Sequence, residues 1–243
     1  MISFIIPAHN EERLLGRTIA GIRDSASAAG EPYEIIVVND ASADATARVA
    51  IEHGASVVDV ELRKISAVRN AGARLAKGDL LVFVDADTVV PAATLQAALN
   101  HWRSGAVGGG ATVAWDEECP FWGHLVLRTW NEISRWLCWA AGCFIFVRRD
   151  AFEAVGGFDE SYFAGEEIIL SGALKRKRRF IVLRQPVFTS ARKVHLYGKF
   201  EMMWLMTRMS LQGQKSWRTR DGLDMWYARR NHPPDQSPLT PTP

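Results

Sequence analysis

Three runs of β-branched and aromatic residues, each ending on carboxylates, constrain this chain more than any other feature. Ile2-Ser3-Phe4-Ile5-Ile6 is stopped by Pro7 and followed by Ala8-His9-Asn10-Glu11-Glu12. Tyr33-Glu34-Ile35-Ile36-Val37-Val38 runs into Asn39-Asp40, and Leu80-Leu81-Val82-Phe83-Val84 runs into Asp85-Ala86-Asp87. An apolar strand cannot bury two carboxylates a residue apart without cations or donors to compensate them, so both belong at the strand exit. Helical stretches separate the runs, which argues for βαβ units and a parallel sheet with its ligand contacts at the carboxyl ends of the strands. Hard oxygen donors there suit Mg²⁺ or Mn²⁺, and those ions suit a diphosphate. The plain alternative for Asp85 to Asp87 is a solvated turn in which Asp87 caps the helix near Pro91.

The periodicity predicts strands over 2–6, 33–38, 56–60 and 79–84, with helices over 11–28, 43–53 and 66–77 between them. Pro91 suits the first turn of another helix, through about Trp102. Gly108-Gly109-Gly110 opens a strand through Trp115 and lacks the residues of a phosphate loop, so it reads as backbone crowding or a bend. An amphipathic, tryptophan-rich helix is expected over 119–140, with Trp122, Leu125, Val126, Trp130, Ile133, Trp136, Leu137 and Ala140 on its apolar side. That side docks on the sheet, or else faces a membrane or an acceptor. A strand follows at 142–147, then a short helix from Arg149 and a helix from about Gly165 into the basic stretch Lys175 to Arg179. Strands at 180–184 and 187–192 complete one domain over residues 1–195. Residues 196–230 read as a basic helical extension and 231–243 as a disordered tail.

With 243 residues the chain can form one large domain, and a net charge of +2 points to no particular partner. The cluster Lys175 to Arg179 lacks interleaved aromatics, which speaks against nucleic acid. Cys119, Cys138 and Cys143 have no zinc-like spacing and leave an odd thiol, so a reducing, cytoplasmic setting is expected. The longest apolar region, about Trp136 to Val147, falls short of a membrane span.

Taken in order, Phe4 to Glu12, Ile35 to Ser42, Val68-Arg69-Asn70-Ala71-Gly72, Val84 to Asp87 and Val155-Gly156-Gly157-Phe158-Asp159-Glu160 resemble the family-2 glycosyltransferases, an inverting group with the α/β GT-A fold. The resemblance implies a mostly parallel sheet and transfer of a sugar from a nucleotide-diphosphate donor, UDP-linked by expectation, to an acceptor hydroxyl. It implies nucleotide contacts from Pro7, Ala8, Asn10, Glu11, Asp40, Arg69 and Asp85. Asp87 becomes the first metal ligand and His195 a second. Family members usually carry Glu-Asp where this chain has Glu166-Glu167. That makes Glu167 the expected general base, with Glu166 the other candidate, and leaves the acceptor open. A sugar nucleotidyltransferase and a nucleotide-sugar-binding protein without turnover are the rival readings. Tryptophans between 115 and 139, with basic residues after Arg192, also suggest contact with a membrane surface and a lipid-linked acceptor.

Overall fold

The computed structural model describes residues 1–196 and 217–219. Its first half alternates as the sequence predicts: β1 (Ile2–Ala8), α1 (Leu15–Ala29), β2 (Tyr33–Asp40), α2 (Thr46–Glu52), β3 (Ser56–Val60), α3 (Ile65–Leu75) and β4 (Leu80–Val84). There follow β5 (Thr88–Val89), α4 (Ala92–Arg103), β6 (Gly108–Trp115), α5 (Phe121–Leu137), β7 (Phe144–Arg148), α6 (Arg149–Ala154), α7 (Glu166–Lys175), β8 (Phe180–Thr189) and α8 (Arg192–Leu196).

The strands form one mixed sheet in the order β3-β2-β1-β4-β7-β6-β8-β5. β3, β2, β1 and β4 are parallel; β7 runs against both β4 and β6, and β8 runs along β6. These directions bring the carboxyl ends of β1, β2, β4, β6 and β8, and the amino end of β7, to one edge. Both faces of the sheet are covered, which is why the strands read as unbroken apolar runs. Ile2, Phe4, Ile6, Leu80, Val82 and Val84 face a core with Ile19 and Ile22 of α1 and Leu95 and Leu99 of α4. Ile5, Leu81 and Phe83 face a second core with Val68 of α3, Phe152 of α6 and Leu170 and Leu174 of α7.

Several boundaries differ from the sequence reading, each for a local reason. Residues 11–14 form a turn in which the amides of Leu14 and Leu15 donate to the Glu11 carbonyl, so α1 begins only at Leu15. The two strands expected over 180–192 are one, β8, whose pairing shifts register between Ala111 and Thr112 of β6. β5 is too short to leave a periodic signal, yet it pairs Thr88 with Thr189. The basic run leaves the helix after Lys175, and Lys175 to Arg179 are all exposed. The three glycines of β6 do reflect crowding: a Cβ on Gly109 would lie 2.4 Å from the Ile181 carbonyl oxygen, and one on Gly110 2.7 Å from the Ala140 Cβ.

α5 docks by only part of the side expected to be buried. Leu127 and Trp130 pack on the first core and Trp122 against Val194. Phe121, Leu125, Val126, Ile133 and Trp136 are exposed, Phe121 at 81% and Trp136 at 83%. Among the described residues no helix is long and apolar enough to cross a membrane. The expected helical extension over 196–230 and the tail over 231–243 fall almost wholly outside the described residues.

Candidate active site

Two arginines organise the carboxylates at the shared sheet edge. Arg69, one turn into α3, is buried at 1% exposure. Its Nη1 donates to Glu166 Oε1 (2.6 Å), and its Nη2 donates to Asp85 Oδ1 (2.9 Å) and to the Gly142 carbonyl (2.9 Å). Burial opposes the guanidinium charge, but Asp85, Glu166 and Glu167 outweigh it and hold Arg69 protonated beyond the ordinary arginine range. The Phe158 ring lies under the same guanidinium, 5.4 Å from Cζ, and packs edge-on against Phe83. The structure thus gives Arg69, expected from sequence to contact the nucleotide, two protein carboxylates as partners. Gly142 is tight for the same reason, since a Cβ there would lie 3.2 Å from the Arg69 Nη2.

The two glutamates that open α7 are not equivalent. Glu166 is 4% exposed and committed to Arg69. Glu167 is half-buried, and among the described residues its carboxylate has no ion-pair partner. Burial, and next the charge of Glu166, push the Glu167 carboxyl up to about 8, against the opposing pull of Arg69. A carboxylate so placed gains a proton readily near neutrality, which suits a general base. The Cys143 carbonyl accepts from the Asp85 amide, and burial and then Asp85 and Asp87 push its thiol far above the usual range.

The second arginine, Arg192 of α8, was not singled out from sequence. Its Nη1 and Nη2 donate to Glu11 Oε2 (2.9 Å) and Oε1 (2.8 Å) as a fork, and Nη2 also donates to Asp87 Oδ2 (3.1 Å). The other Asp87 oxygen accepts from the Thr189 hydroxyl at 3.3 Å. This cluster is half-open, with side-chain exposures of 22% for Arg192, 17% for Glu11 and 15% for Asp87. His195, one turn further along α8, is exposed, and its Nε2 lies 3.0 Å from the Glu118 carbonyl oxygen. The residue brought to Asp87 is therefore Arg192 and not His195. Among the described residues no group of three or more His, Cys, Asp or Glu side chains gathers as an ion cage. The donor types suit Mg²⁺ or Mn²⁺ in a narrower sense: one carboxylate, Asp87, has the Thr88 and Thr189 hydroxyls beside it, and such ions take phosphate oxygens for much of their coordination.

Residues around Asp40 form a third group, at the ends of β1 and β2. Asp40 Oδ1 accepts from the amides of Leu62 (2.7 Å) and Arg63 (3.1 Å), so it neither caps α2 nor stands alone. The His9 ring contacts the Asp40 carbonyl and the Arg63 guanidinium. Asn10 donates its amide to Ser42 Oγ and accepts from the Ala43 amide. Asn10, Ala41 and Arg63 all have positive φ, at 56°, 51° and 51°. Non-glycine residues adopt that conformation rarely, and such strain concentrates at ligand sites. Pro7 and Ala8 complete the group from the last positions of β1, paired with Val38 and Asn39.

Trp217 also borders the site, from the far end of the chain. Its carbonyl accepts the Phe163 amide (2.7 Å), and its ring covers Gly165, the positive-φ residue (71°) that precedes α7. Arg218 donates to the Tyr162 hydroxyl at 3.0 Å. An open groove of about 540 Å³ between α5 and β6–β8, with Arg128, Arg135 and Arg184 in its walls, contains none of these carboxylates.

The family model described as Glycosyl transferase family 2 matches residues 3–156. Among curated proteins, the chain is 29% identical over 111 residues to the uncharacterized glycosyltransferase YkcC of Bacillus subtilis (strain 168), covering 42% of this chain and 34% of that one. It is 46% identical over 59 residues to the 4,4'-diaponeurosporenoate glycosyltransferase of Staphylococcus aureus (strain USA300), covering 24% and 15%. The chain thus spans about a third or less of the length of these relatives. Among solved structures, the mannosyltransferase PcManGT from Pyrobaculum calidifontis in complex with GDP-Man and Mn²⁺ superposes with a TM-score of 0.64 at 20% identity, over 85% of this chain and 60% of that one. S. aureus TarS 1-349 in complex with UDP-GlcNAc gives 0.58 at 18% identity, over 78% and 58%. Both likenesses place the fold with the GT-A glycosyltransferases.

Proposed function

We propose that this chain, which belongs to glycosyl transferase family 2, moves a sugar from a nucleoside-diphosphate donor to an acceptor hydroxyl with inversion. The observation that carries the reading is Glu167: a half-buried carboxylate with a raised pKa, next in sequence to the Glu166 that pairs with Arg69. Glu167 takes the acceptor's hydroxyl proton as that oxygen forms its bond to the anomeric carbon. The bond from that carbon to the diphosphate oxygen breaks on the opposite face, and the nucleoside diphosphate leaves with the electron pair. General-base help of this kind is worth about 10² to 10⁴ in rate.

The strained loops around Asp40, with Pro7, Ala8 and Asn10, are the nucleoside side of the site, and Asp85 and Asp87 the diphosphate side. UDP is the expected nucleotide. Asp87 would hold Mg²⁺ or Mn²⁺, which when bound neutralises charge on the departing diphosphate. The acceptor is proposed to be lipid-linked and met at the inner face of the membrane. The exposed apolar face of α5 supports this, since the exposed run Lys175 to Arg179 adjoins it: Lys175 Nζ donates to the Leu137 carbonyl at the end of α5 (2.9 Å). Apolar and aromatic side chains beside clustered cations complement an anionic headgroup layer. The three free cysteines suit a cytoplasmic setting.

Release of UDP from UDP-sugars with Mn²⁺ tests the reaction class, using E167Q and E166Q beside the wild type. E167Q should lose turnover by about 10² to 10⁴ while UDP affinity stays within a few-fold. Full turnover in E167Q would remove the base assignment, and no sugar release with any donor would favour a binding protein.

A further inference from the structure

Arg192 stands between the two carboxylates that the donor's charged end must approach. Its fork is taken by Glu11, while its contact with Asp87 is a single hydrogen bond through the same Nη2. The bidentate pair is the stronger tether and the lone contact the weaker one. A divalent ion on Asp87 Oδ2 would sit beside a guanidinium already 3.1 Å from that oxygen, and two cations so close repel. A diphosphate reverses the balance, because its oxygens accept from the guanidinium and bind the ion together. Arg192 can then turn its Nη2 from Asp87 to phosphate while Glu11 keeps its other hydrogen bonds. Two contacts position it: Thr189 closes the β5–β8 pair against Thr88, and the Arg192 amide donates to the Ser190 hydroxyl at 3.1 Å.

We propose that Arg192 is a diphosphate-binding residue which, before the donor arrives, holds Asp87 and so makes metal binding there depend on the nucleotide. This rests on the donor-site reading above. It assigns Glu11 a second task, anchoring Arg192, in addition to any contact with the nucleoside.

The test compares wild type, R192M and R192K, with circular dichroism and melting curves to confirm folding. Free Mn²⁺ is followed by electron paramagnetic resonance without nucleotide, and UDP and UMP binding by calorimetry in the presence of Mn²⁺. Without nucleotide, R192M should bind Mn²⁺ about fivefold more tightly than wild type or better, because the competing cation is gone. With Mn²⁺, R192M should bind UDP about tenfold more weakly or worse, having lost a charge-assisted contact. UMP, which lacks the second phosphate, should lose less affinity than UDP. R192K keeps the charge without the fork and should fall between wild type and R192M in both measurements. Unchanged Mn²⁺ affinity in R192M, or UDP affinity within twofold of wild type, would overturn the proposal and leave the glycosyltransferase reading standing. A folded wild type that binds no nucleoside diphosphate would overturn the donor-site reading, and this proposal with it.

Discussion

Arg69 and Arg192 each bridge two carboxylates, but Arg69 does so with 2% of its side chain exposed and Arg192 with 22%. Around Arg69, desolvation is nearly complete, three hydrogen bonds are spent within the protein and an aromatic ring fills the remaining side. Those bonds fix where Asp85 and Glu166 point. Around Arg192 one strong tether and one weak one leave the guanidinium able to change partners. The same side chain in the same kind of constellation is thus a scaffold at one end of the site and an adaptable contact at the other. Burial decides which.

The sharpest way to break that comparison is to remove each cation in turn. R69M leaves Glu166 buried without its partner, and breaking a buried ion pair by deleting one member costs about 3–5 kcal/mol. The loss should appear as a lowered denaturant midpoint. R192M, whose partners reach water, should cost about 1 kcal/mol or less. Equal losses in the two variants would show that the difference in exposure does not set the roles assigned here.

A smaller effect concerns the charge that the Arg69 cluster leaves unmatched. Glu167 is raised from an ordinary 4.5 to about 8, mainly by burial and by Glu166. As the base must be unprotonated, kcat/KM should rise with pH along a single-proton limb centred near pH 8. Stability should move the opposite way. Between about pH 4.5 and 8 the folded protein holds a proton that the unfolded chain has released, so ΔG of unfolding falls as pH rises across that window. E167Q should flatten this fall. A limb that persists in E167Q would assign the titration to another group.

How much of this was readable beforehand follows the same division. β1, β2 and β4 announce themselves because both their faces are buried, and the carboxylates at their ends stand out against apolar runs. The position of Asp40, Asp85 and Asp87 at strand ends was therefore legible. Arg192 was not, since nothing in Ser190-Ala191-Arg192-Lys193 distinguishes an arginine facing Glu11 from one facing water. Its role depends on a contact across 181 residues, made possible because β8 runs parallel to β6 and ends at the same edge as β4. The burial of Arg69 was hidden likewise: a motif gives the residue type, while its solvent exposure depends on α7 and the loop at Gly142 closing over it. His195 is likewise placed by a contact that the sequence does not show, with its Nε2 3.0 Å from the Glu118 carbonyl oxygen.

The smallest effect on the isolated protein should come from α5, which lies outside both arginine clusters. Replacing Phe121, Leu125 and Trp136 together by serine alters exposed positions, so the melting temperature and the affinity for UDP should barely move. Binding to vesicles should move clearly. Each of these side chains contributes apolar area to an interface, and each cation of Lys175 to Arg179 near an anionic surface adds up to about 1 kcal/mol. Wild-type protein should sediment with phosphatidylserine-containing vesicles at low salt and release as salt rises, because screening weakens attraction between exposed charges. The triple-serine variant should remain in the supernatant under both conditions, while its release of UDP in the absence of lipid equals that of wild type. A wild type that ignores anionic vesicles at low salt would place the acceptor in solution. A wild type that self-associates through this face, with the serine variant monomeric, would make a second copy its partner.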